Sequence, residues 1–136
     1  METEVSVLTP EDFSPATWAY IGDAYYELAM RVLTVREGPK RMSAMHRETA
    51  YFVRASFQAK AAHAIFALLN EKEKDILRRG RNVRSGHVPK SASVTEYRHS
   101  TGIESLIGYL YLAKEEERAL EIICAIRGLK EDSTCV

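Results

Sequence analysis

The stretch Ala19-Tyr-Ile-Gly-Asp-Ala-Tyr25 carries one acidic side chain in a nearly apolar segment. Apolar side chains recur around it at intervals of three and four residues, which predicts an amphipathic helix. These positions are Trp18, Ile21, Tyr25, Leu28 and Val32. Ser14 followed by Pro15 is a start signal, because serine caps helices well and proline fits the first helical position. We therefore expect a long helix that begins near Ser14 and buries this stripe.

The remaining segments also have helical patterns. A second long helix, broken at most once, is predicted from about Ser43 to Leu69. Shorter helices are predicted from Glu71 to Arg79, from Ser93 or Thr95 through Tyr111, and from Glu115 to about Ile126. Two glycines and a proline between Gly80 and Ser93 predict a loop of about a dozen residues. No segment is convincing as a strand, so the predicted fold class is all-α.

Length and composition fit one globular domain. The chain has 136 residues, 46% of them hydrophobic, and 19 basic side chains balance 19 acidic ones. A net charge of zero argues against a protein that holds nucleic acid by bulk electrostatics. However, residues 1–15 contain four acidic and no basic side chains, whereas residues 78–98 contain six basic and one acidic. One face of the neutral protein is therefore expected to be strongly positive.

The N-terminal sequence and the two cysteines indicate a cytoplasmic protein. The first residues are acidic, unlike a signal or transit peptide, and no apolar run approaches the roughly 20 residues that span a membrane. Cys124 and Cys135 are expected to be reduced, structural thiols, because a bond between them would close only a short loop at the chain end. Neither has a partner at metal-ligand spacing, which argues against a zinc site.

A second acidic side chain in an apolar stretch is Glu104, in Ser100-Thr-Gly-Ile-Glu-Ser-Leu-Ile-Gly108. Burying an unpaired carboxylate costs on the order of several kcal/mol, so Asp23 and Glu104 both need partners. Two carboxylates can hold Mg²⁺ if water and a nucleic-acid phosphate complete its shell. Alternatively, each acid is separately hydrogen-bonded or paired with an arginine. Nearby glycines would allow close approach of helices or of a ligand backbone: Gly22, Gly102 and Gly108.

These acidic segments resemble the two signatures of the ribonuclease III family. Tyr20-Ile-Gly-Asp-Ala24 is similar to the "LGDA" core, with isoleucine in place of leucine, and Ile103-Glu-Ser-Leu-Ile-Gly108 is similar to the "EALIG" motif. The region between them resembles the smaller Mini-ribonuclease III branch at Arg79-Gly-Arg-Asn82, Ser85-Gly86, Pro89-Lys90 and Tyr97-Arg98-x-Ser100-Thr101. The resemblance extends from about Ala16 to Arg127.

The resemblance implies a ribonuclease III-type helical domain of about five to seven helices. Such a domain dimerises and cuts double-stranded RNA with Mg²⁺, in this family on precursors of large-subunit (23S) ribosomal RNA. Asp23 and Glu104 match the catalytic, metal-binding acids, and Mn²⁺ is expected to substitute for Mg²⁺. Two further acids of the larger enzymes are replaced by Ala19 and Thr101, which implies more water or phosphate ligands.

The resemblance also implies a single catalytic domain over residues 1–136. We expect its core at about residues 14–127, between a flexible acidic N-terminal segment and a short flexible tail. No separate double-stranded-RNA-binding domain is expected. Substrate selection would then come from the catalytic domain itself or from a helper, such as a ribosomal protein, that presents the RNA.

The basic loop is interpreted as the RNA-binding surface, because A-form RNA offers phosphates and 2′-hydroxyls rather than base edges. A solvated charged turn is the alternative. The expected RNA-binding residues are Arg79, Arg81, Asn82, Arg84, Ser85, Lys90 and Arg98, with His46 and Lys60 from the second helix. Arg47, Ser56 and Gln58 resemble positions of the same branch, but Gln58 and Lys60 are not expected to share a face. His87 and His99 flank the loop and would make binding mildly pH-dependent, whereas His63 is expected to be an ordinary helix residue.

The expected mechanism is metal-assisted hydrolysis. Mg²⁺ lowers the pKa of a bound water, orients it in line with the phosphodiester and neutralises developing charge, whether one or two ions bind. A two-fold dimer would place two sites across the minor groove and produce staggered cuts. Two other classes stay open, a non-catalytic RNA- or ribosome-associated module and a dimerisation adaptor. The presence of Asp23 together with Glu104 favours the enzyme.

Overall fold

Six α-helices form the part of the chain that the computed structural model describes, residues 8–84, 88–90 and 92–134, with side chains to residue 130. They are α1 (Pro15–Arg36), α2 (Met42–Val53), α3 (Ala55–Ile65), α4 (Glu71–Arg81), α5 (Val94–Leu112) and α6 (Glu116–Thr134). Short 3₁₀ turns occur at Pro10–Asp12 and Phe66–Leu68. These ranges contain no strand, so the predicted all-α class is confirmed. None of the described helices combines the length and apolarity needed to cross a bilayer.

The helices begin where capping residues predict. The Ser14 hydroxyl accepts a hydrogen bond from the Thr17 N–H at 3.2 Å, and Pro15 is the first residue of α1. Asn70 and Ser93 cap α4 and α5 in the same way, and the backbone N–H of each donates a reciprocal hydrogen bond to a glutamate side chain. Side-chain caps satisfy amide donors that have no partner inside the helix. The earlier of the two predicted start residues of α5 is therefore correct.

Helix ends were predicted less well. The second predicted helix is broken once, at Arg54, whose extended backbone (φ −74°, ψ 147°) separates α2 from α3. Helix α4 continues to Arg81, beyond the expected end at Arg79. Helix α6 passes Ile126 and continues to Thr134. Core contacts explain this extension, because Arg127 is buried and ion-paired.

Helices α1 and α5 cross with their backbones in direct contact. A Cβ atom on Gly22 would overlap the carbonyl oxygen of Glu104, and one on Gly108 would overlap the carbonyl oxygen of Trp18. Only glycine, which lacks a Cβ, permits this approach at either position. The crossing fixes the spacing between Gly22 on α1 and Gly108 on α5.

Helix α5 lies at the centre of the fold, packed on α1, α3 and α4. Its contact with α4 also depends on small residues, since a Cβ on Gly102 would lie 2.9 Å from the Leu77 carbonyl oxygen. Ser105 is fully buried and donates a hydrogen bond to the Pro15 carbonyl at 2.9 Å. The apolar run from Ile103 to Leu110 is therefore buried on more than one side.

The buried face of α1 differs from the predicted stripe. It consists of Trp18, Ala19, Gly22, Tyr26, Ala29, Met30 and Thr34. Leu28 is 57% exposed and Val32 is 38% exposed, so the prediction was wrong from Leu28 onward. Because the α5 backbone approaches so closely, several small residues line the contact, and bulky aliphatic side chains point outward. The outward face therefore carries exposed apolar side chains at Leu28, Val32 and Val35 beside the Glu27–Arg31 ion pair.

Two arginines join α6 to the other helices. The Arg118 guanidinium donates to both carboxylate oxygens of Glu73 on α4, at 2.8 and 2.9 Å. The buried Arg127 lies 2.9 Å from Glu37 and 3.4 Å from Glu48. Buried charges of this kind are tolerated because they are paired and hydrogen-bonded.

Cys124 is a free thiol on α6. Its side chain is exposed, which contradicts the structural role expected for it. Cys135 lies outside the described residues.

The glycine crossing leads to a stability prediction. Gly22→Ala places a methyl group against the Glu104 backbone, and we expect a loss of more than about 3 kcal/mol of unfolding free energy, measured by urea denaturation. Gly128→Ala is the matched control, because a Cβ there meets nothing within 4 Å and should stabilise α6 by about 0.5–1 kcal/mol. Equal stability of the two variants would contradict the crossing.

Candidate active site

The α1–α5 crossing brings Asp23 and Glu104 together. Asp23 follows Gly22, and the backbone that Gly22 contacts is that of Glu104 itself. The two carboxyl groups are close enough to share a side-chain hydrogen bond. Acids far apart in the sequence therefore form one cluster, as a shared divalent ion would require.

The two acids differ in exposure. Glu104 is partly buried, whereas Asp23 is exposed. The expectation that both carboxylates are desolvated was therefore wrong for Asp23. The apolar residues around it in the sequence gave a false signal, since some of them, such as Tyr20 at 79% exposure, also face outward.

The electrostatics of the pair favour a cation. The pKa of Glu104 is raised to about 8, first by burial, then by the negative charge of Asp23 and by its hydrogen bond with Asp23. Interaction with the Gln58 side chain opposes this rise. Two carboxylates that share a site retain a proton until a cation replaces it. A divalent cation would therefore compete with that proton for the pair.

Tyr26 and Gln58 border the carboxylate of Glu104. The Tyr26 hydroxyl donates to the Phe52 carbonyl at 2.6 Å, and burial, followed by the charge of Glu104, raises its pKa. Gln58 is only 2% exposed, so it is not an RNA contact, whereas Lys60 is exposed. The sequence prediction that these two residues of α3 do not share a face agrees with this placement.

The donor set fits Mg²⁺, which prefers oxygen ligands and keeps several waters. In the described ranges no cluster of three or more His, Cys, Asp or Glu side chains could hold a metal. Ala19 is buried, and the Thr101 hydroxyl donates to the Tyr97 carbonyl at 3.0 Å within α5. These two positions therefore add no carboxylate ligand to Asp23 and Glu104.

The side chains of His63, Arg81 and His99 lie together where α3, α4 and α5 meet. The rings of His63 and His99 are 4.6 Å apart between centroids. The pKa of His99 is lowered by burial, then by the charges of His63 and Arg81. Lys60 is exposed one turn before His63 on α3. We call these four residues the basic cluster; sequence reasoning had assigned His63 no part in it.

Other residues of the expected RNA-binding set lie at separate places. Exposed residues near the ends of α4 and α5 are Asn82, Arg84, Lys90 and Arg98. The Arg79 guanidinium instead lies 5.0 Å from the centroid of the Trp18 ring. His46 is exposed on α2, which packs chiefly on α1 and α3. Ser85 and His87 lie outside the described residues.

Comparison with known proteins agrees with this geometry. The ribonuclease III domain family matches residues 16–115, which include both acidic segments. The chain therefore belongs to the ribonuclease III family and is an endoribonuclease. Enzymes of this family act on double-stranded RNA and typically as dimers. A non-catalytic module and a plain adaptor are no longer needed to explain the chain.

Within the family, the resemblance to the Mini-ribonuclease III branch is confirmed. The chain is 46% identical over 110 residues to Mini-ribonuclease 3 of Thermoanaerobacter sp. (strain X514), covering 81% of this chain and 78% of that protein. It is 43% identical over 116 residues to Mini-ribonuclease 3 of Symbiobacterium thermophilum, covering 85% and 89%. The fold is similar to a crystal structure of a protein from Fusobacterium nucleatum, with a TM-score of 0.77, 30% identity and coverage of 89% and 95%.

The raised pKa of Glu104 predicts a pH-dependent stability in EDTA. Between its ordinary value of 4.5 and about 8, the unfolded chain has released a proton that the folded chain retains. Stability therefore falls as pH rises through this range. We expect Glu104→Gln to be more stable than the parent by roughly 1–4 kcal/mol at pH ~8.5, with a smaller difference at pH ~5, in urea unfolding. Glu117→Gln, an exposed acid on α6, is the control, and an unchanged pH slope in Glu104→Gln would contradict the assignment.

Proposed function

We propose that this ribonuclease III enzyme hydrolyses double-stranded RNA with Mg²⁺ held by Asp23 and Glu104. The observation that carries the proposal is the contact between these two carboxyl groups at the α1–α5 crossing. Within the described ranges, neither acid forms an ion pair with a basic side chain. Separate pairing with arginine, the alternative interpretation of the sequence, therefore lacks support, and a divalent ion supplies the missing positive charge.

The two acids are proposed to have different roles in the site. Bound Mg²⁺ would activate a water molecule and neutralise charge that develops on the phosphodiester. Glu104 lies against the interior and is suited to hold the ion in place, because its surroundings restrict its movement. Asp23 is exposed, which leaves its side of the site open to RNA and water. Mn²⁺ should substitute, since carboxylate and water ligands also suit that ion.

The basic cluster and the exposed residues around it are proposed to bind the RNA phosphates. Lys60 and Arg81 come from different helices, so together they can follow a duplex rather than one phosphate. Arg84, Lys90 and Arg98 are exposed at the ends of α4 and α5 and would extend this surface. Phosphate contacts of this kind position the protein on RNA without reading its sequence.

The outward face of α1 is proposed to be the dimer interface. Leu28, Val32 and Val35 are 57%, 38% and 60% exposed on the part of this face that lies C-terminal to Asp23. Exposed apolar faces of this kind mark interaction sites. A second copy related by a two-fold axis would cover these apolar side chains on both chains, leave Asp23 open and bring the two sites near one another. Two sites on one duplex would then produce staggered cuts.

A precursor of large-subunit (23S) ribosomal RNA is the proposed natural substrate. Its support is the similarity to Mini-ribonuclease 3 proteins over most of the chain. A ribosomal protein is the candidate helper that would present the RNA to the basic cluster. Cleavage of precursor RNA with and without ribosomal proteins tests both points.

The metal site leads to a catalytic prediction. Asp23→Asn should reduce the rate of duplex RNA cleavage in Mg²⁺ by about 10³-fold or more, because a ligand and its charge are lost. The parent should lose cleavage in EDTA. Gel assays on a labelled duplex measure both effects, with Asp75→Asn, an exposed acid on α4, as the control. Cleavage that survives Asp23→Asn would contradict the mechanism, and a duplex left intact by the parent in Mg²⁺ would contradict the function.

The basic cluster leads to a binding prediction. Arg81→Ala should weaken duplex binding and lower the dependence of log Kd on log salt by about one phosphate charge, because one fewer counterion is released. Fluorescence anisotropy at several salt concentrations in EDTA measures the slope. Arg36→Ala, an exposed arginine at the end of α1, should leave it unchanged. An unaltered slope for Arg81→Ala would exclude a phosphate contact.

A further inference from the structure

Gln58 is a buried polar side chain beside the candidate metal site. It lies on α3, which packs on α5, and it is 2% exposed. Its Nε2 atom is shielded from solvent and has no hydrogen-bond partner. Leaving a buried N–H donor unpaired costs free energy, so such an atom in a folded protein requires an explanation.

Glu104 supplies that explanation. The Gln58 amide lies close enough to this carboxylate to interact with it and to favour its ionised form. The other polar neighbour, Tyr26, already donates its hydroxyl proton to the Phe52 carbonyl at 2.6 Å. Gln58 is therefore the neighbour with a donor still available to the Glu104 carboxylate.

We propose that Gln58 is a positioning residue for Glu104, and that its Nε2–H donates to the carboxylate when Glu104 binds the divalent ion. This inference rests on the proposed function of the carboxylate pair. Outer partners of this kind orient metal ligands and strengthen metal binding in other proteins. An outer partner that orients Glu104 is more important here, because Ala19 and Thr101 provide no further carboxylates to hold the ion. Burial excludes direct contact between Gln58 and RNA.

Gln58→Met tests the proposal, since methionine has nearly the same shape as glutamine but no amide. We expect the Kd for Mn²⁺, measured by calorimetry without RNA, to rise by about tenfold or more. The Mg²⁺ concentration that gives half-maximal cleavage should rise by a similar factor. RNA affinity in EDTA and the cleavage rate at saturating Mg²⁺ should change less than about threefold, because Gln58 contacts neither RNA nor the reacting atoms. If Gln58 had only a structural role, its loss would change metal affinity, RNA affinity and the cleavage rate together.

Thr34→Val is the matched control. Thr34 is also buried with an unpartnered side-chain atom, but it lies near the C-terminal end of α1, away from Asp23 in the middle of that helix. Its replacement should leave Mn²⁺ binding unchanged. Circular dichroism melting verifies that each variant folds, and Gln58→Leu carries the same test if the methionine variant does not.

The outcomes separate this inference from the proposed function. A parent protein that neither binds Mn²⁺ nor cuts duplex RNA in Mg²⁺ overturns both. A parent that does both, alongside a Gln58→Met variant with unchanged metal dependence, overturns only the role of Gln58. The role of Gln58 is supported if Gln58→Met raises both the Kd for Mn²⁺ and the Mg²⁺ concentration for half-maximal cleavage while RNA affinity in EDTA is retained.

Discussion

The contact between the backbones of α1 and α5 determines both the fold and the site. Gly22 and Gly108 let the two helices touch without intervening side chains. Asp23 follows Gly22 in the chain, and the carbonyl that Gly22 touches belongs to Glu104, so the same contact sets the distance between the two acids. A side chain at Gly22 would separate the helices and the carboxylates together. Packing and chemistry are therefore subject to one geometric constraint, which few substitutions can satisfy.

The carboxylate pair works against stability. Burial and the charge of Asp23 raise the pKa of Glu104 to about 8, so its ionised form is disfavoured at neutral pH when no cation is bound. The rest of the molecule offsets this cost through its buried core and the paired arginines of α6. Unfavourable like-charge pairs of this kind are typical of sites that bind cations or move protons. Binding of a divalent ion would convert the unfavourable pair into a stabilising one.

Features that depend on neighbouring residues in the chain could be predicted from the sequence, whereas features that depend on how helices pack could not. The start of α1 at Ser14 follows from capping, which depends on a few adjacent residues. The outward position of Leu28 depends on how closely α5 approaches, which no periodicity reports. The helical spacing predicts that Gln58 and Lys60 lie on different faces, but it does not predict which of them is buried, because that depends on how α3 packs against α5. Resemblance to two short motifs identified Asp23 and Glu104 from the sequence. Only the structure shows that Asp23 is exposed and Glu104 is partly buried.

The unequal exposure of the two acids has a consequence for how ion and substrate bind. With two carboxylates from the protein, most ligands of Mg²⁺ must be water or phosphate oxygens. An RNA phosphate that enters on the open side, next to Asp23, would then belong to the coordination shell as well as to the substrate. Under the proposed function, binding of the ion and binding of RNA would be thermodynamically coupled, and each would strengthen the other by the same factor. Because Glu104 is held from the interior and Asp23 faces solvent, the protein would provide one fixed part of the proposed site, and the duplex would provide the other.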